Sequence, residues 1–185
     1  MAVIEEEHVK TWSELSAMVN EYFVHFNNYI FRGQERESWK LESTLTRLIH
    51  QAGYQENEQK EAIKLHLGRF KQNIRSRIPV DFNNISNDEL WALGQHFGLA
   101  TPLLDWSRSP YVALFFALNN CSKTENGVLY ALVESDIEEI NKRKCKNQQG
   151  VHIVNPLTNF NTRLVNQRGL FLNVPSLINT PQKCS

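Results

Sequence analysis

SPYVALFFALN at residues 109–119, followed after a polar stretch by GVLYALV at 127–133, decides the fold class. Ser109-Pro110 reads as a helix start, with proline at the first helical position, where its missing amide costs nothing. Tyr111 to Asn119 is apolar nearly all round, so this helix is expected to be central, with Leu114, Phe115 and Phe116 fully buried. GVLYALV is short, branched and apolar, and reads as a buried strand. Ser135 with Glu138 then has the spacing of a capping box, in which each side chain satisfies an orphan amide of the first turn. It predicts a short helix to about Lys142.

Upstream, Thr11 and Glu14 repeat the capping-box spacing. Trp12, Leu15, Val19, Tyr22, Phe23 and Phe26 recur at helical intervals until Asn27-Asn28. Tyr29-Ile30-Phe31 reads as a strand. A second helix is expected from Asn57 to about Arg77, its stripe formed by Ile63, Leu67, Phe70, Ile74 and Ile78, with Pro79 as its stop. A third starts at Ser86, with Glu89 three residues on and Gly98 as its C-terminal cap. Val151–Val154 and Leu170–Val174 read as later strands. Helices and strands alternate without a regular βαβ rhythm, which points to α+β. The expected architecture is a small mixed or antiparallel sheet with several packed helices.

The 185 residues are enough for one domain with a sizeable core. Lys+Arg and Asp+Glu are 20 each, so net charge gives no reason to expect nucleic acid as a partner. The start MAVIEEEHVK lacks the basic, then apolar pattern of a signal peptide. The longest apolar run, Tyr111 to Leu118, is too short to span a bilayer. Cys121, Cys145 and Cys184 are odd in number and widely spaced, suggesting neither a disulfide framework nor a metal site. A cytoplasmic protein without a membrane partner is the expectation.

Candidate chemistry gathers at three places. Arg32 follows three strand residues. Its fork suits a phosphate or carboxylate, and Gly33 beside it would let a ligand approach the backbone. The plainer alternative is a salt bridge, with Asp105 for example, and a turn at Gly33. His96 lies near the end of the third helix, where it could act as acid or base or simply complement the helix dipole. Asp105 lies between Leu104 and Trp106, so its carboxylate should be paired or protonated. Trp106, Trp39 and Tyr29 could stack on a base or sugar, or belong to the core. Gln167 offers donor and acceptor next to Arg168-Gly169. Gln34 and Thr101 complete the candidate ligand contacts, with Arg32, His96 and Asp105 the candidate catalytic set. No metal constellation, P-loop, GxGxxG or GxSxG is present.

The stretches that hold these residues are YIFRGQ at 29–34 with WKLESTLTR at 39–47, QHFGLATPLLDWS at 95–107 running on through Ala117, and NTRLVNQRGLF at 161–171. Together they resemble the FRG domain, a family of bacterial and phage proteins named after its Phe-Arg-Gly motif. Two departures stand out. Ala100 and Pro102 occupy places where the family has proline and arginine, and Gln167-Arg168-Gly169 replaces Gln-Gln-Gly. The resemblance implies an FRG-like domain over 29–185, shortened at its C-terminus, with residues 1–28 as an N-terminal helix belonging to it.

The Arg-Gly start is similar to the first motif of one branch of ADP-ribosyltransferases, whose arginine holds a phosphate of NAD, and Glu42-Ser43-Thr44 echoes its Ser-Thr motif. That likeness implies an NAD-consuming enzyme of a defence or toxin system, with NAD as substrate and no other cofactor. Against it, Gln167 stands where that branch has a glutamate, and an amide cannot stabilise an oxocarbenium-like centre as an anion can. Two other functions stay open: a non-catalytic nucleotide-sensing or protein-interaction domain, and a metal-independent nuclease using Arg32, His96 and Asp105, against which the neutral charge balance argues. Arg32, Asp105 and Gln167 are expected to meet in one concavity.

Overall fold

The structure is a computed structural model, which describes residues 6–25, 28–75, 77–78, 84–119, 125–142, 150–155 and 169–174. Helices α1 (Trp12–Tyr22), α2 (Thr44–Gln51), α3 (Glu56–Ile74), α4 (Asn87–His96), α5 (Pro110–Leu118) and α6 (Glu134–Lys142) accompany strands β1 (Tyr29–Gln34), β2 (Leu103–Ser107), β3 (Val128–Val133), β4 (His152–Val154) and β5 (Gly169–Asn173). The fold is α+β. The strands form a five-stranded sheet in the order β3–β1–β2–β5–β4. The pairings of β1 with β2, β1 with β3 and β4 with β5 are antiparallel.

The chain divides into two compact units. The first holds α1, β1, α5, β3, α6 and the Asp105–Ser107 part of β2. The second holds α2, α3, α4, β4, most of β5 and Leu103–Leu104.

In the first unit β1 is the central element. It pairs with β3 over six residues, from Tyr29↔Val133 to Gln34↔Val128. Ile30 and Phe31 are buried almost completely. Phe23, just past α1, meets Tyr29 and Phe31 edge-on at 5.2 Å each, an arrangement aromatic quadrupoles favour. The Thr11 capping box forms as its spacing requires. The helix nevertheless ends at Tyr22 rather than at Asn27-Asn28.

Helix α5 corrects one expectation. It buries Pro110, Ala113, Leu114 and Ala117, while Tyr111, Phe115, Phe116 and Leu118 are exposed. The reason is backbone proximity. A Cβ on Gly33 would lie 1.8 Å from the carbonyl oxygen of Ala113 and 2.7 Å from the amide nitrogen of Ala117. Only the small-residue side of α5 can come that close, so its large aromatics are turned outward. Nor is β3 a buried strand: its residues are mostly half-buried, as befits an edge position.

In the second unit α2 is an element that the motif reading did not resolve. Ser43 caps it, its hydroxyl accepting from the Thr46 amide at 3.1 Å. Helix α3 ends at Ile74, short of Pro79, which lies outside the described residues. Helix α4 begins with the Ser86/Glu89 box and ends on Gly98 at φ 83°, a left-handed position. The Leu99 amide donates to Gly94 O at 2.9 Å and the Gly98 amide to Gln95 O at 3.0 Å, the paired bonds of a Schellman ending. His66 Nε2 lies 2.9 Å from the Ala100 carbonyl oxygen, and its ring stacks on Trp91 at 5.9 Å.

Gly68 lies mid-way along α3 with nothing within 4 Å of where a Cβ would stand. Gly68→Ala is therefore expected to stabilise the protein by about 0.5–1 kcal/mol, because alanine has less backbone freedom to lose in a helix interior. Urea titration checks it through a raised midpoint at unchanged slope.

Candidate functional site

The site builds from β1. The missing side chain of Gly33 points at α5. Successive strand residues face opposite ways, so Arg32 and Gln34 project from the other face of the sheet. Tyr130 on β3 is the direct partner of Arg32 and shares its face. Phe31 pairs with Ser107, which puts Ser107 on the α5 side and Trp106 beside it on the Arg32 side. One sheet face in the first unit thus carries Arg32, Gln34, Trp106 and Tyr130.

Arg32 Nη1 donates to the backbone carbonyl of Asp105 at 2.7 Å. The contact the sequence suggested between these two residues is therefore made, but through the main chain of Asp105. Asp105 itself is exposed. Gln34 and Trp106 are both buried. Gln34 Nε2 donates to Lys40 O at 3.4 Å, whereas Gln34 Oε1 and Trp106 Nε1 are buried with no hydrogen-bond partner among the described residues. Leaving such atoms unsatisfied costs about 1–3 kcal/mol each.

The remaining candidates separate. The close approach that Gly33 allows is taken up by α5 on that face of β1. His96 and Thr101 belong to the second unit. His96 is exposed at the end of α4, edge-on to Phe97 at 5.1 Å. Thr101 is buried and fully engaged: its hydroxyl donates to Gln95 Oε1 and accepts from the Leu103 amide, while its carbonyl accepts from the Leu45 amide at 3.2 Å. Gln167 lies outside the described residues, and with it the expected meeting of Arg32, Asp105 and Gln167. Trp39 is exposed, and the Arg36 guanidinium lies 5.6 Å from its ring centroid.

A small cavity of about 320 Å³ opens elsewhere in the first unit, lined by Glu37, Ser38, Glu125 and Asn126. Its groups are already tied together, Asn126 Nδ2 donating to Glu37 at 3.1 Å and Arg36 pairing with Glu125 at 3.5 Å.

In the second unit a polar cluster has formed that the sequence did not single out. His152 Nε2 meets Asp88 Oδ2 at 2.7 Å, and Asn173 Nδ2 donates to Asp88 Oδ1 at 3.0 Å. His152 and Asn173 are cross-strand partners on β4 and β5, so one carboxylate in the first turn of α4 holds both strands. Asp88 read as an ordinary acidic residue of a helix start, and only the strand pairing reveals its second duty.

The FRG domain family model matches residues 27–126. That is more than half of the chain, and it spans β1, the Arg32-Gly33 pair and the whole of the 95–107 motif. The chain belongs to the FRG domain family. No curated protein matches it, and no solved structure does. The FRG match ends at Asn126, two residues before β3 begins. Among the described residues no helix of this FRG protein is long and apolar enough to cross a membrane.

Proposed function

We propose that the Arg32-bearing sheet face binds a nucleotide-like anionic ligand, and that the domain acts as a binding or sensing module. One observation carries this reading. Two buried polar atoms without partners, Gln34 Oε1 and Trp106 Nε1, share a sheet face with a guanidinium. An acceptor, a donor and a fork suit a ligand with both an anionic group and a hydrogen-bonding ring edge. The bond from Arg32 Nη1 to Asp105 O fixes the guanidinium, which lowers the entropy lost on binding.

Binding without turnover is favoured over NAD-consuming transfer by the position of Asp105. Asp105 is exposed, and the bond between it and Arg32 runs through its main-chain carbonyl. A glycosyl-transfer centre needs an anion facing the developing positive charge on the same side as the phosphate clamp. The residues present fit the phosphate-holding half of such a site.

The expected result concerns melting temperature. Wild type should be stabilised by NAD or by a mononucleotide, by about 2.7 kcal/mol at a hundredfold excess over Kd. Arg32→Lys should keep the basal melting temperature within a few degrees and lose that response, because an ammonium cannot grip two oxygens in parallel. An unresponsive wild type together with a strongly destabilised Arg32→Lys would make Arg32 architectural and end this reading. Release of nicotinamide from NAD by the purified protein would instead restore the transferase.

A further inference from the structure

The equal totals of acidic and basic residues conceal an uneven distribution. Residues 60–77 hold six cations, Lys60, Lys64, Arg69, Lys71, Arg75 and Arg77, against Glu61 alone, and no further acidic residue comes before Asp81. Of the 20 of each sign, that leaves fourteen basic and nineteen acidic residues for the rest of the chain. Most of the excess lies on α3. Lys60, Lys64, Lys71 and Arg75 stand at i, i+4, i+11 and i+15, with Gly68 at i+8, so they form one strip about 22 Å long. Arg75, the C-cap, keeps helical torsions (φ −52°, ψ −34°) and continues the line. Lys60, Lys64, Gly68 and Arg75 are exposed, and Lys71 is half-buried. Among the described residues the strip's one ion pair is Lys64 with Glu61, at 3.9 Å and open to solvent, which neutralises little.

We propose that this strip of α3 binds the phosphate backbone of duplex DNA, independently of base sequence. The charge calls for a polyanion, and the composition of the helix decides which. Beside the strip lie Glu61, Leu65 and Gln72, with no aromatic residue among them. A protein partner is held by aromatic and apolar anchors seated in pockets. A membrane takes up an apolar face, and α3 has turned its own, Leu67 and Ile74, inward. Single strands are held by bases stacked on aromatic rings. A duplex backbone needs cations in a row, with amides such as that of Gln72 to donate beside them.

Shape decides between DNA and RNA. Of the nineteen residues of α3 only Gln59, Leu67 and Ile74 are buried, so most of its circumference is free to meet a partner. A helix about 10–12 Å across fits the major groove of B-DNA, about 12 Å wide, with its cations against the phosphates of the groove wall. The major groove of an A-form RNA duplex is deep and too narrow for that approach. This inference stands apart from the ligand-binding reading, since α3 belongs to the second unit and Arg32 to the first.

Fluorescence anisotropy tests it, with the full chain titrated into a labelled DNA duplex of arbitrary sequence and about two helical turns. The expected Kd is about 1–100 µM at physiological salt, and affinity should fall about a hundredfold between roughly 50 and 200 mM salt, the slope of about −3.6 that four neutralised phosphates give. Lys64→Ala combined with Arg75→Ala should weaken binding more than about tenfold and remove about half of that slope, with the melting temperature unchanged. Lys10→Ala combined with Lys142→Ala removes the same charge from exposed sites of the first unit and should bind as wild type does. Gly68→Glu is an independent probe. Nothing lies within 4 Å of a Cβ there, so it sets a carboxylate in the middle of the strip without disturbing packing, and it too should abolish binding. Absence of binding at low salt, a slope near zero, or equal losses in the two double variants overturns the proposal. So does tighter binding of the single strand or of an RNA duplex. Binding of phosphatidylserine vesicles or of a polyglutamate peptide by a chain that leaves the DNA duplex unbound would give the strip to that partner and overturn it as well.

Discussion

Gly33→Ala should be the most damaging single change of one methyl in this protein, with an expected loss on the order of 4 kcal/mol or more. Ordinary overpacking costs about 1–3 kcal/mol, because side chains can shift into new rotamers. That relief is missing here. The added Cβ would meet the Ala113 carbonyl oxygen at 1.8 Å and the Ala117 amide nitrogen at 2.7 Å, both backbone atoms of α5. The whole helix must lift away from β1, and the contacts of Ala113, Leu114 and Ala117 go with it. Gly127, just before β3, faces the same helix: a Cβ there would lie 2.5 Å from the Ala117 carbonyl oxygen. Thermal melting, with Gly68→Ala as a methyl-addition control of opposite sign, reads the effect. A Gly33→Ala protein that melts within a degree or two of wild type would show that α5 does not rest on β1.

Phe31→Ala should cost about 3–5 kcal/mol, the usual range for an aromatic removed from a core. In a chain of this length that is a fall in melting temperature on the order of 10 °C. Phe31 is 1% exposed, lies at the centre of β1 and holds the Phe23 ring edge-on. Phe115→Ala, by contrast, should fall within about 0.5 kcal/mol, as surface substitutions do. Measured by denaturant titration, the two together locate the core. Equal losses would move it to α5.

That contrast shows what the sequence could and could not express. Thr11, Ser86 and Gly98 were legible because a cap is a local matter, settled by residues three or four apart. Phe115 was not, because an all-apolar helix carries no mark of which side will be covered. The deciding fact was a glycine on a strand distant in the chain. Strand β2 escaped notice for a related reason. Leu103–Ser107 joins two helices and reads as their connection until β1 supplies a partner. Helix α2 was hidden by its own chemistry, since Glu42-Ser43-Thr44 read as an echo of a Ser-Thr motif when Ser43 is a helix cap. At the candidate site Arg32 was legible as a fork held near Asp105. That a main-chain carbonyl would do the holding was not, because nothing in a side-chain pattern reports on backbone acceptors.

The six-residue ladder between β1 and β3 also bears on how this domain should be produced. The recognisable family segment ends at Asn126, while β3 begins at Val128. A fragment trimmed to the family boundary would lack the strand that covers one side of β1, stripping partners from Tyr29 through Gln34 at once. Backbone donors and acceptors along the uncovered side of β1 would then be open to any other chain in the same condition, which is the geometry of edge-to-edge aggregation. Expression boundaries for this protein belong beyond Val133, and an insoluble product from a shorter fragment would report on that missing strand rather than on the stability of the domain.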